Sequence, residues 1–205
     1  MNQYIEETAL AVKGILGLVG DDEAILVAKL GEREITVKGL ARARSILHIG
    51  APTTGFGEDS TPYFEKMARD ARREASLLNH TIAELEAAIA AKEASVQALS
   101  SAILQIAKQG IAIVRGDIAK CPPGRQIGRE SLSNVVWQAR NQSQHWEENS
   151  FRPHVMACFE NLRAGFGDEY RIPSPSPKSL AKEVVQLLGW ADYTAYEKDM
   201  VSLLG

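Results

Sequence analysis

Three residues whose side chains could handle a phosphate group and a proton lie close together in the segment 137–148. They are Arg140, Asn141 and His145, and several of the residues between and around them are polar amides. On a helix, Asn141 and His145 share a face, whereas Arg140 and His145 lie about 140° apart around the axis. The arginine and the histidine would therefore flank a groove.

This set of side chains suits cleavage of a phosphodiester without a metal ion. A histidine with a pKa near neutrality can take a proton from a ribose 2′-hydroxyl or give one to the leaving oxygen. An arginine can hold the phosphate and offset the negative charge that develops during attack. An adjacent amide can orient either group. Glu148, three residues after His145, could orient the imidazole, but a solvated acid at a helix end is the commoner role.

The pattern Arg140-Asn141-x3-His145 resembles the active-site motif of HEPN domains: an arginine, a polar residue that is often asparagine, and a histidine after four to six intervening positions. Chance alone gives about 0.8 matches to the Arg–His spacing in a chain of this composition, but only about 0.02 when asparagine must follow the arginine. The Arg42–His48 and Arg73–His80 pairs have the spacing without the asparagine.

The resemblance implies a helical bundle that forms a homodimer with one composite cleft, and metal-independent endoribonuclease activity of the toxin–antitoxin or phage-defence type. Arg140, Asn141 and His145 would be the catalytic residues and RNA the substrate. An antitoxin or a nucleotidyltransferase is the implied partner protein. Glu147 stands where one branch of the family has the tyrosine that such a nucleotidyltransferase modifies, which argues against that form of control.

Four polar residues near the motif are candidates for RNA binding. These are Arg125, Arg129, Gln144 and Arg152. Their cationic or amide groups suit phosphate contacts, which dominate the affinity for nucleic acid and make it salt-dependent.

The composition excludes several other classes of protein. The 205 residues carry a net charge of −3, so a basic protein that coats nucleic acid is excluded and any RNA site must be local. Cys121 and Cys158 lack metal-ligand spacing, and no phosphate-binding GxxxxGK[ST] loop is present. We expect no metal or other cofactor, no signal peptide, no contact with a membrane and a cytoplasmic location.

Apolar periodicity predicts an all-α fold with a long central helix. Gly20-Asp21 is predicted to end the first helix, and residues 34–37 are interpreted as a turn or an extended piece. Loops are predicted over 50–57 and at Cys121–Gly124, with a proline-rich linker over 172–177. The predicted helices span 3–19, 22–30, 38–49, 63–109, 129–146, 152–162, 179–188 and 192–204.

The long helix has a stripe of apolar residues at alternating steps of four and three, which is typical of coiled coils. The stripe consists of Leu78, Ile82, Leu85, Ile89, Val96, Leu99, Ile103 and Ile106. It could form a seam within one bundle or an arm between two copies. A non-catalytic helical module that binds a partner protein through this stripe is the alternative function.

Three regions are predicted along the chain. Residues 1–57 form an N-terminal helical region, and residues 58–168 form the HEPN-like bundle. Residues 169–205 form a proline linker and C-terminal helices that pack on the bundle.

Overall fold

The computed structural model describes residues 2–49, 61–148, 150–173 and 178–205, and these ranges form an all-α fold. The predicted loop over 50–57 and most of the predicted proline linker lie outside the described residues. A short antiparallel hairpin of β1 (Gln126–Ile127) and β2 (Glu130–Ser131) interrupts the helices. The helices are α1 (Gln3–Ile49), α2 (Thr61–Arg115), α3 (Leu132–His145), α4 (Pro153–Phe166), α5 (Ala181–Leu187) and α6 (Tyr193–Leu204).

The chain divides into two compact units, and both long helices contribute to each of them. The first unit contains Met1–Asp22 and Ala94–Gly205, and the second contains Glu23–Glu93. The boundaries fall within α1 and α2 and do not coincide with the predicted ones near 57 and 168. The three regions predicted from the sequence are consecutive segments, whereas the two units are groups of residues in mutual contact. The three-region division stays a prediction.

α1 is one continuous helix, so the predicted break at Gly20-Asp21 and the predicted extended piece at 34–37 are wrong. A glycine costs a helix only about 1 kcal/mol, and the lower helix propensity of β-branched residues costs less. Local bonds also support the helix, since Lys38 pairs with Glu34 at 2.6 Å, and Thr36 Oγ1 donates to the carbonyl of Glu32. Packing of one helix face in each unit therefore outweighs these weak local signals.

In the first unit, the N-terminal part of α1 packs with α2, α3, α4 and the C-terminal helices around one hydrophobic core. Ile5 and Val12 of α1 are buried there. Ile103 and Ile111 of α2 are fully buried in the same core. Trp190 is the largest fully buried side chain.

The heptad stripe of α2 packs within the chain in both units. In the first unit, Val96 and Ile103 are fully buried in the core described above. In the second, Leu78 and Ile82 pack against a small cluster that contains Leu40 of α1. Of the two interpretations of the stripe, the described contacts correspond to the seam within one chain.

α3 begins three residues later than the sequence predicts, because residues 126–131 form the hairpin. Ser131 caps the helix by accepting a hydrogen bond from the backbone N–H of Asn134. The hairpin and this cap fix the start of the helix that carries the motif, and hence the direction in which each motif side chain projects.

A glutamine within the motif holds the C-terminal segment against α3. Gln142 is fully buried; its Nε2 donates to the Lys178 carbonyl at 2.6 Å, and its Oε1 accepts from the Leu180 backbone N–H at 2.9 Å. Both ends of the amide are thereby satisfied, as burial requires. The two C-terminal helices predicted from the sequence are confirmed as α5 and α6.

Among the described residues, no helix combines the length and the apolarity that crossing a bilayer would require.

Candidate active site

The motif side chains line one open cleft of about 270 Å³ in the first unit. The cleft lies where α3 ends, the 3-10 turn Trp146–Glu148 follows and α4 begins. Its lining residues are Arg140, Asn141, His145, Glu148, Ser150, Phe151, Arg152 and Val155. The structure therefore brings together the three predicted catalytic residues and one predicted RNA-binding residue, Arg152.

Arg140 is half-buried and is held by two neutral side chains. Its Nε donates to Oε1 of Gln105 on α2 at 2.6 Å. Its Nη1 lies 3.4 Å from Oδ1 of the adjacent Asn141, a long contact. Since a guanidinium has five N–H donors, most of its hydrogen-bonding capacity remains for a ligand in the cleft.

Asn141 is the last member of a chain of polar side chains along α3. Glu130 accepts from Nδ2 of Asn134 at 2.5 Å, and Oδ1 of Asn134 accepts from Gln138 at 3.1 Å. Gln138 Oε1 then faces Nδ2 of Asn141 at 3.5 Å. A carboxylate only accepts hydrogen bonds, so Asn134 must turn its Nδ2 to Glu130. Each following amide then donates to the oxygen of the one before it, and this leaves Oδ1 of Asn141 directed to Arg140.

His145 is a surface residue whose imidazole contacts a carboxylate. Its side chain is 49% exposed, and Nδ1 lies 2.5 Å from Oε1 of Glu148. An ionised carboxylate only accepts hydrogen bonds, so in the neutral imidazole the tautomer that satisfies this contact has its proton on Nδ1 and accepts at Nε2. Glu148 is 62% exposed, so it is the solvated acid that the sequence predicted, and it also contacts the imidazole.

Arg152 is exposed and lines the cleft at the N-cap of α4, next to the half-buried Phe151. Arg140 and Arg152 thus give the cleft lining two guanidinium groups, and Glu148 gives it one carboxylate. Arg129 and Gln144 are also exposed but are not among the described residues that line the cleft.

Arg125, the remaining RNA-binding candidate, forms a tertiary ion pair away from the cleft residues. Its Nε and Nη2 bind the two carboxylate oxygens of Asp199 on α6, each at 2.9 Å, and Nη2 also donates to the Leu188 carbonyl. Asp199 is buried and accepts a further bond from the indole N–H of Trp190 at 2.8 Å. The structure thus places Arg125 between the start of the hairpin and the C-terminal helices.

Sequence reasoning missed two residues that shape the site. Gln105 is 35 positions before Arg140 on another helix, and no local pattern connects the two. Phe151 enters the cleft because the chain turns between α3 and α4. Both residues reach the site because separate elements pack together. The periodicity of residues within one helix gives no information about such packing.

The described residues contain no group of three or more His, Cys, Asp or Glu side chains placed to hold a metal ion. The cleft lining contains two guanidinium groups, a carboxamide, and a histidine whose Nδ1 contacts the carboxylate of Glu148 and whose Nε2 does not. These groups can bind a phosphate and transfer a proton next to it.

Comparisons of this chain with protein-family models, with curated proteins and with solved structures find no match.

Proposed function

We propose that this protein is a HEPN-like, metal-independent endoribonuclease of the toxin–antitoxin or phage-defence type that acts as a homodimer. The observation that supports the proposal is that Arg140, Asn141 and His145 line one open cleft. The three residues of the Arg-Asn-x3-His motif are therefore accessible to the same bound group.

In this mechanism His145 is the general acid and base. Its Nδ1 is engaged by Glu148, so Nε2 takes the proton from the ribose 2′-hydroxyl as that oxygen attacks the adjacent phosphorus. The 2′-oxygen forms a new bond to phosphorus while the bond to the 5′-oxygen breaks, and His145 passes the proton that it has accepted to the leaving 5′-oxygen. The products carry a 2′,3′-cyclic phosphate and a 5′-hydroxyl.

Arg140 stabilises the charge that builds up on the phosphate oxygens in the transition state, because its guanidinium is already fixed before the substrate binds. Asn141 orients the pair. Arg152 binds a phosphate of the same strand and makes binding sensitive to salt.

Cleavage of RNA by the purified protein in EDTA tests the proposal. Wild type should cut single-stranded or loop RNA, and His145→Ala should lower the rate by about 100-fold or more, the usual contribution of a general acid–base group. His80→Ala is the matched control, since His80 is exposed and also lies beside a carboxylate, Glu84 at 3.3 Å, but belongs to the second unit. It should cut like wild type, and mass spectrometry should find cyclic phosphate ends.

The proposal fails if wild type and His145→Ala are equally active, or if EDTA abolishes cleavage. Equal inertness on every RNA tested, with folding and dimerisation intact, would favour the non-catalytic interaction module instead.

A further inference from the structure

Arg140 differs in the charge of its partners from the other arginines of the described residues that pair with a second side chain. Arg115 has a neutral partner too, but that partner is the backbone carbonyl of Leu203. Arg33 pairs with Glu86 at 2.7 Å, and Arg125 pairs with Asp199. Arg163 and Arg171 both pair with Asp168. Arg140 instead contacts the side-chain amide oxygens of Gln105 and Asn141.

The neutrality of the first partner, Gln105, has a direct electrostatic consequence. A carboxylate that accepted the same bond would place a negative charge against the guanidinium, and the pair would attract an incoming anion only weakly. The amide oxygen of Gln105 accepts the hydrogen bond from Nε with the same geometry, but it does not neutralise the positive charge of the guanidinium. The guanidinium is thus held in place and still available to an anion.

Gln105 lies on a rigid part of the fold. Its neighbours Leu104 and Ala107 are fully buried in the core of the first unit. Three residues further along α2, Lys108 Nζ lies 4.5 Å from the ring centre of Trp137 on α3, a second contact between the same two helices. The position of Gln105 relative to Arg140 is therefore set by helix packing and does not depend on a loop.

We infer that Gln105 is a positioning residue, which holds Arg140 towards the cleft without neutralising it, so that the cleft can bind a phosphate group. The inference rests on the proposed function for the identity of the substrate, RNA. That the cleft binds an anion, and that this binding requires an uncharged residue at position 105, can be tested without RNA cleavage.

Gln105→Glu tests the inference, since it changes the charge and almost nothing else. Binding of inorganic phosphate to the full-length protein is measured by isothermal titration calorimetry, and the melting temperature by circular dichroism. The variant should fold with an unchanged or higher melting temperature, because a carboxylate binds Arg140 more strongly than an amide does. Its affinity for phosphate should nevertheless fall by about tenfold or more.

Gln109→Glu is the matched control. Gln109 is exposed on the same helix, four residues from Gln105, and the substitution adds the same charge. It should bind phosphate almost as wild type does. Gln105→Leu, which removes the acceptor but adds no charge, should show a smaller loss of affinity than Gln105→Glu. In RNA cleavage, Gln105→Glu should raise KM and lower kcat, since phosphate binding and transition-state stabilisation both use Arg140.

The inference is overturned if Gln105→Glu binds phosphate like wild type, if Gln109→Glu is equally impaired, or if wild type binds no phosphate. If wild type binds phosphate, Gln105→Glu loses that binding and no RNA is cut, the role of Gln105 stands and the ribonuclease proposal falls.

Discussion

Arg125 and Arg140 show how two arginines that lie within 20 residues of each other receive different environments from the fold. Arg125 forms a two-point contact with the buried carboxylate of Asp199. Arg140 contacts neutral amides and borders a cleft. The sequence made both arginines candidates to contact RNA. Their positions near the motif do not indicate which distant side chain each one binds in the folded protein.

Arg125→Ala should lower the free energy of unfolding by about 1–3 kcal/mol, because among the described residues it leaves the buried carboxylate of Asp199 with Trp190 as its one side-chain donor. Urea denaturation followed by circular dichroism measures this loss. Arg129→Ala, at an exposed position nearby, is the control and should change stability by less than about 0.5 kcal/mol.

Cleavage of RNA per folded molecule should be unaffected by Arg125→Ala. A variant that is as stable as wild type but binds RNA poorly would contradict this prediction and support the role in RNA binding inferred from the sequence.

At the scale of elements, Gly110 of α2 lies at a close approach to side chains of α1 and α6 in the first unit. A Cβ built on Gly110 of α2 would lie 2.6 Å from the ring of Tyr4 and 3.1 Å from Leu204. The Tyr4 ring has little freedom to move aside, because its hydroxyl donates to the Ile106 carbonyl at 2.7 Å. A glycine that weakens the helix is thus required for packing.

Gly110→Ala should therefore reduce the free energy of unfolding by about 1–3 kcal/mol, since overpacking outweighs the gain in helix propensity. Gly17→Ala is the matched control: Gly17 of α1 has no atom within 4 Å of the new Cβ, so this variant should gain about 0.5–1 kcal/mol. Chemical denaturation of both variants measures the two effects, and a similar gain in both would show that the close approach is absent.

The same scale explains the outcome for α1. Its glycines at 14, 17, 20 and 31 face open space, and the sequence predicted that the helix ends at one of them, Gly20. The helix nevertheless runs from Gln3 to Ile49, since its buried residues lie on the side that packs against α2 in each unit.

At the scale of the molecule, the two compact units differ in the depth of their cores. The core of the first unit contains many side chains with no solvent exposure. In the second unit, the buried apolar residues each retain between 1% and 8% exposure; they are Leu26, Leu40, Ala43, Ala71, Ala75, Leu85 and Ile89. Hydrophobic burial supplies most of the stability of a helix in a protein, so local opening should cost less in the second unit.

Hydrogen exchange followed by mass spectrometry should reveal this difference along one helix. Backbone amides of α2 over residues 65–90 should exchange at least about tenfold faster than those over 96–112, although all belong to the same continuous helix. Equal protection along the whole of α2 would contradict the prediction and indicate that the helix opens as one unit.

Local patterns in the sequence were enough to determine that this chain is helical, where most helices lie and which three motif residues face the same region. Those features depend on the 3.6-residue period of the helix and on spacings of a few residues, and both can be read directly from the order of residues in the chain. The continuity of α1 was not predictable in this way, because weak local breakers compete with burial that only the folded chain provides.

Tertiary structure alone decided which residues surround the motif. Gln105 reaches Arg140 across 35 positions, Asp199 reaches Arg125 across 74, and the heptad stripe packs inside the chain. The sequence left the stripe with two interpretations, because an apolar seam has the same period whether it meets its own chain or another. Contacts between distant segments depend on how helices pack in three dimensions, and packing leaves no periodic signature in the segments that it joins.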